Sequence, residues 1–321
     1  MTREGGVSER VVGWFEALGY VVSIAVLSIV YAMAVEAGAH VTAFILISTI
    51  ISGAALLLLV GPGKDGIAIM LSPASWLLGL LHIAMEGAYC FALLTLSPAE
   101  TSLLVRLSVP VAMAASYVLL ARRPGVWQVA GATIVTGAVV FVIAQMNMST
   151  QLSGILACLS CAITVTFRAL ASEWHPWNRA ARTIKGKLQV TGLLVLVTAI
   201  ASLVAVGIAM ALVSAGAIPP NAIVPQMSDF LHGPTLILSV IVGAAIFSAM
   251  NFLQFSSVVK IGTESLIVAS ALMPMATLGL QQAAGAIGLI KVHDVPPHLL
   301  VAMAMVLVGI VVVMKGDARS S

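Results

Sequence analysis

Apolar residues run through this chain in blocks of about 20, enough for an α-helix rising ~1.5 Å per residue to cross a hydrocarbon layer roughly 30 Å thick. Ten such blocks can be marked, near residues 13–36, 40–60, 69–96, 98–120, 125–146, 152–172, 189–214, 234–258, 263–285 and 297–315. Polar positions and helix breakers gather between them, at Gly61-Pro62-Gly63, Pro124-Gly125 and Pro296-Pro297. The pattern predicts an all-α polytopic membrane protein of ten transmembrane helices joined by short loops. Composition agrees: 60% hydrophobic against 8% charged residues does not suit a surface in water. The first block is too long for a secretory leader and a second follows at once, so it is expected to be a retained span.

The blocks are not all independent. Glu100 to Pro110 reads ETSLLVRLSVP, and Glu264 to Pro274, 164 residues later, reads ESLIVASALMP. An acidic residue, a small hydroxyl residue and a helix-interior proline recur at matching offsets, the mark of an internal duplication. Residues 11–146 and 152–315 would then be two five-helix repeats. Five is odd, so the second repeat must cross the membrane upside down relative to the first, which is the inverted architecture of alternating-access transporters.

Charge sets an orientation. With the N-terminus inside, Arg10, Lys64, Arg122, Arg123, Arg179, Arg182, Lys185, Lys187, Lys260 and Lys315 fall on the inner side, while the outer loops hold Lys291. The positive-inside rule therefore predicts two cytoplasmic termini in a plasma membrane, here a bacterial inner membrane. The net charge of +3 follows from that topology and points to no nucleic-acid partner. Ser172 to Lys187 combines Trp174 and Trp177 with four cations and reads as a belt at the headgroups of the membrane lipids. Arg168 is expected to snorkel to the same surface. Cys158 and Cys161 have the spacing of a metal or redox pair, but a lipid-embedded helix offers no further ligands, so neither a metal nor a cofactor is expected.

Candidate chemistry concentrates in the third and fourth blocks. His82 and Glu86 stand at i and i+4 on one helix face, a spacing that could serve a proton relay. Arg106 lies in the next block, beyond a turn in which Ser97, Pro98 and Glu100 form a capping box. Counted from that turn, Glu86 lies ~15 Å deep, Arg106 ~12 Å and His82 ~21 Å. Two readings stay open: a site that binds solute, or a buried ion pair pinning the helices together. Pro110 denies a hydrogen bond to the carbonyl of Arg106, and Pro274 does the same to the carbonyl of Ser270, so both helices should kink. Glu86 is not duplicated: Met250 stands at the matching place, beside Asn251. The site is thus expected to be asymmetric, with Glu86 and Arg106 on one repeat facing Asn251 and Ser270 on the other. Glu100 and Glu264, in first helical turns, read as capping residues.

Over these residues the chain resembles the drug/metabolite transporter superfamily, in particular its ten-span EamA-like branch. Ala88 to Pro110 resembles that family's third and fourth spans, Asn251 to Pro274 its eighth and ninth, and Gly125 to Val142 with Gly154 to Trp174 its fifth and sixth. The resemblance implies two inverted five-helix repeats around a central cavity used to export small metabolites. No glycine-lysine phosphate loop is present, so energy is expected from a proton gradient or exchange. The expected function is a secondary active transporter, not an enzyme, whose partner is a small-molecule substrate such as an amino acid. Export of lipophilic cations or drugs is the alternative within transport, and a lipid-handling or scaffolding subunit the alternative outside it.

Overall fold

The computed structural model describes residues 4–219, 223–291 and 294–320, and among them every regular element is helical. The elements are α1 (Glu4–Glu36), α2 (Val41–Val60), α3 (Gly66–Leu71), α4 (Pro73–Ala92), α5 (Pro98–Leu104), a 3₁₀ turn (Val105–Leu107), α6 (Ser108–Leu120), α7 (Val126–Ile143), α8 (Met148–Trp174) and α9 (Pro176–Ala180). They continue as α10 (Ile184–Ser214), α11 (Met227–Phe230), α12 (Gly233–Ile241), a π-helical segment (Val242–Phe247), α13 (Ser248–Ser270), α14 (Met273–Ala286) and α15 (Pro297–Ser320). Nine helices among the described residues are long and apolar enough to cross a membrane. One of them, Gly233–Ser270, runs for 38 residues. At ~1.5 Å per residue that is about 57 Å, nearly twice a hydrocarbon core. Its backbone breaks at Gly262, with φ 79° and ψ 163°, a conformation open to glycine alone at little cost.

Apolar residues in a lipid-embedded helix face lipid as readily as protein, so polarity and size, not hydrophobicity, decide what lies inside. Helix α8 shows the sorting. Cys158, Cys161, Arg168 and Ser172 are buried on one face, while Leu159, Ile163 and Phe167, four residues apart, are exposed on the other. Small residues mark the closest crossings. On α7, a Cβ at Gly131 would collide with the carbonyl oxygen of Gly309 on α15, and one at Gly309 would lie 2.8 Å from the Gly131 carbonyl. Helix α1 packs along α13, α4 along α8, α2 along α10, and α7 along α15.

One end of the bundle carries most of the cations and is called the basic face below. Here α8 turns into α10 through an elbow fastened by buried polar groups. Asn178 donates to the carbonyls of Ser172 (2.9 Å) and Phe255 (3.0 Å), and Lys187 Nζ donates to the Asn178 backbone oxygen (2.5 Å) and side-chain oxygen (3.1 Å). His175 Nε2 meets Ser75 Oγ at 3.0 Å. The Ser75 hydroxyl already donates to the Ile69 carbonyl at 2.6 Å, so it must accept from His175. That leaves His175 neutral with the proton on Nε2 and its buried Nδ1 unpartnered. Burial accordingly pulls its pKa down from 6.5 to about 4.

Two outcomes follow. Gly131→Val should cost several degrees of melting temperature in detergent, whereas Gly137→Val, whose added carbon meets nothing within 4 Å, should be near neutral. Equal melting temperatures would show that α7 and α15 can part without penalty. The histidine gives a pH signature: between about pH 4 and 6.5 the unfolded chain holds a proton that folded His175 refuses, so its contribution to stability is complete above pH 6.5 and is lost as pH falls towards 4. A melting-temperature profile over that window should be flatter in His175→Gln than in the wild type.

Candidate functional site

The polar residues that resist lipid converge at mid-depth. A cavity of about 50 Å³ lies there, lined among others by Tyr20, Tyr31, Glu86, Tyr89, Arg106 and Ser270. Met85, Met250 and Met273 also reach it. A water needs ~10–15 Å³ of such space, so it would hold roughly four, far below the ~300 Å³ or more of a ligand pocket. The cavity is small and lined almost wholly by buried side chains.

Proline shapes the wall. Pro110 and Pro274 stand four residues after Arg106 and Ser270, and at both places the α-helix gives way. The first tightens into the 3₁₀ turn at Val105–Leu107, and the second ends α13 at Ser270 and restarts at Met273. The Ser270 carbonyl, released by Pro274, accepts a hydrogen bond from Arg106 Nη1, which also donates to Ser270 Oγ at 2.8 Å. Arg106 Nε donates to the Ser102 carbonyl at 2.9 Å, and Nη2 meets the Met273 sulfur at 3.5 Å. Arg106 and Ser270 are themselves 164 residues apart, so the guanidinium of one copy of the duplicated stretch binds the broken backbone of the other.

Glu86 and Arg106 border one cavity but form no ion pair, so the alternative of a direct pair pinning the two helices is not what the structure holds. Arg106 is drawn to neutral oxygens on α13, and Glu86 Oε2 accepts from the Tyr31 hydroxyl at 2.7 Å on α1. His82 stacks beside Glu86 as the spacing requires, but its Nδ1 is 4.0 Å from Oε1, too long for a hydrogen bond. Neither ring nitrogen has a protein partner, and the ring rests edge-on against Phe247.

Asn251 lies outside the cavity, beside a smaller void of about 10 Å³ towards the basic face, which His82 and Arg168 also border. Its position depends on the π-helical segment: the extra residue in that turn re-aims α13, and Asn251 Nδ2 anchors to the Phe247 carbonyl at 2.8 Å. Arg168 is the larger correction. It does not snorkel outward but is 1% exposed. Its Nη2 donates to Asn251 Oδ1 at 2.5 Å, Nη1 lies 3.8 Å from the Met85 sulfur, and the guanidinium carbon is 5.7 Å from the Phe255 ring centre. Tyr20, Tyr31 and Tyr89 were also missed. The signal for Arg168 was its place on the Cys158–Cys161–Ser172 face of α8.

Polar side chains also join the helices at both ends of the bundle. On the basic face Glu173 Oε2 accepts from the Thr263 backbone (2.9 Å) and hydroxyl (2.7 Å), while Arg122 reaches Glu173 at 3.1 Å and Glu264 at 3.8 Å. Glu264, expected only to cap, is thus also part of an ion cluster. On the opposite face Gln281 accepts from the Ala99 backbone at 3.1 Å. Ala99 precedes Thr263 by the same 164 residues. The capping box is formed there, with Ser97 N to Glu100 Oε2 at 2.8 Å and Glu100 N to Ser97 Oγ at 3.3 Å. Cys158 and Cys161 are buried free thiols, and the described residues hold no cluster of three metal-ligating side chains.

No family model and no curated protein sequence matches this chain. The fold does have solved counterparts. One, described only as the crystal structure of a protein, shares 21% identity and superposes with a TM-score of 0.60 over 96% of this chain and 98% of its own. At that identity the likeness concerns the fold alone. The chain is a multi-pass helical membrane protein.

The Arg106 arrangement predicts an unusual effect of restoring a helix. Pro274→Ala supplies an N–H that competes for the Ser270 carbonyl, so α13 and α14 should join and Arg106 should lose its main acceptor. Arg106→Gln should lower stability by ~1–3 kcal/mol in the wild type and by clearly less in the Pro274→Ala background. Additive losses in a double-mutant cycle of unfolding would count against the link.

Proposed function

We propose that the protein is a secondary active transporter of a small organic solute bearing a carboxylate, an amino acid or related metabolite, which it exports by alternating access. The observation that carries this reading is the small cavity where two proline-broken helices meet, with an acid and a guanidinium on its wall. Ionisable side chains inside a membrane are costly and chiefly mark solute or proton paths. Broken helices at mid-membrane belong to transporter binding sites, because irregular backbone survives there only where it lines a cavity or is held by protein.

Support for ten crossings in two inverted repeats comes from Gly262 and from the packing. With the break at Gly262 separating two spans, each neighbour relation recurs with the halves exchanged: α1 on α13 answers α8 on α4, and the pairs α2 with α10 and α7 with α15 answer themselves. Glycines follow suit. Gly79 on α4 abuts Thr198 of α10, and Gly243, 164 residues on, abuts Ser48 and Ile51 of α2. This arrangement is what the resemblance to the drug/metabolite transporter superfamily implies. On the charge bias the basic face is cytoplasmic, with both termini there, in a bacterial inner membrane. The Arg122–Glu173–Glu264 cluster then lies at the cytoplasmic end of the bundle.

The buried charges favour an anionic or zwitterionic solute. Arg106 and Arg168 carry two positive charges against the single carboxylate of Glu86, so the site repels a lipophilic cation, although its three tyrosines would suit one. Glu86 is the proton-coupling group, and His82 its neighbour towards the cytoplasm. Uptake of radiolabelled amino acids and of organic amines into proteoliposomes, with and without a pH gradient, tests the reading. Gradient-driven amino-acid flux should fall at least tenfold in Glu86→Gln. Flux of amines alone would favour the drug reading, and no flux of any solute would favour a scaffolding role.

A further inference from the structure

The two buried guanidiniums are in opposite states of satisfaction. An arginine has five N–H donors. Arg106 gives three hydrogen bonds to oxygen, two of them to the freed Ser270 site, and its remaining nitrogen rests on a sulfur. Arg168 donates to Asn251 and has the Tyr20 hydroxyl as a further neighbour, but its Nε is buried and unpartnered and its Nη1 rests on the Met85 sulfur. Around it the neglect continues: both ring nitrogens of His82 and both polar atoms of Gln254, one turn along from Asn251, are buried without protein partners. Such a concentration of unmet polar atoms, the Arg168 Nε–H among them, is costly in a membrane interior unless the site receives a polar partner during its working cycle.

Met85, a flexible side chain, stands between this cluster and the main cavity, beside Tyr20. Met85 lines the 50 Å³ cavity and touches Arg168, which borders the 10 Å³ void beyond. Methionine has three rotatable bonds and repacks readily. Rotation of Met85 would join the two spaces and bring the fork of Arg168 into reach of a solute whose other end is at Glu86, one residue along the chain. We propose that Arg168, with Asn251 and His82, is the subsite for the carboxylate end of the transported solute, and that Met85 is the movable septum that admits it. Arg106 holds the helix breaks together and is not the carboxylate receptor. This rests on the transporter reading above and names the half of the site that reading leaves open.

Melting shifts of the purified full-length protein, and uptake into proteoliposomes, would be measured with L-alanine, L-phenylalanine and their C-terminal amides, which keep the amine but lose the carboxylate. The acids should stabilise the wild type and be transported, and the amides should do neither. Arg168→Gln should abolish both effects, and Arg168→Lys should restore at most a small part, because a point charge lacks the fork. Should Arg168→Gln fail to fold, Asn251→Asp keeps the guanidinium but occupies it with a fixed carboxylate. That variant should be at least as stable as the wild type, yet lose acid binding more than tenfold. Met85→Ala should enlarge the joined space and raise the apparent affinity for L-phenylalanine relative to L-alanine. Acid transport that persists in Arg168→Gln or Asn251→Asp overturns the inference and leaves the transporter reading standing. So does transport of the amides at the rate of the acids. No binding or flux of any of the four overturns the inference, and the absence of flux for every solute in the wider panel removes the transporter reading as well.

Discussion

The architecture turns on a backbone carbonyl with no helix partner. In hydrocarbon an unsatisfied peptide group costs several kcal/mol, so a proline in the middle of a span is tolerable only where another group claims the freed acceptor. Pro274 frees the carbonyl of Ser270, and Arg106 claims it. One contact therefore joins the polar notch of the second copy of the duplicated stretch to a cation on the first. The same bond explains why Arg106 does not turn to Glu86: four neutral or weakly polar acceptors on its own helix and on α13 to α14 already hold it, and Glu86 is held from α1 by Tyr31.

The helical blocks were legible because a membrane leaves so few choices. Length and apolarity located the spans, Ser97-Pro98-Ala99-Glu100 marked a helix start through its capping chemistry, and Pro110 and Pro274 marked the two breaks. What escaped was the facing of side chains. In water hydrophobicity points inward, but in lipid it points nowhere, and a lone cation within ~10 Å of a helix end can either snorkel or turn in. Arg168 turned in because its face of α8 carries Cys158, Cys161 and Ser172, small groups that let α4 and α13 approach. That periodicity is present in the sequence, yet it ranks below the pull of a nearby interface until the neighbouring helices are known. Asn251, expected on the main cavity, lies beside the smaller void instead, since the π-helical segment before it shifts the register in a way no periodicity announces.

Seen from its polar atoms, the protein divides labour between two arginines that look interchangeable by depth and burial. One has spent its donors on the frame, and in doing so fixes where helices may bend. The other keeps its Nε donor unspent, at the edge of a void, beside an asparagine and a histidine with capacity to spare. A frame that needed only cohesion would have no reason to retain the second, because an apolar residue in that slot would pack without stranding donors. The cation persists where its cost is highest, one methionine away from the cavity that Glu86 borders. That is the placement expected of a group whose partner arrives and leaves, with the satisfied arginine supplying the rigid wall against which the arrival is read.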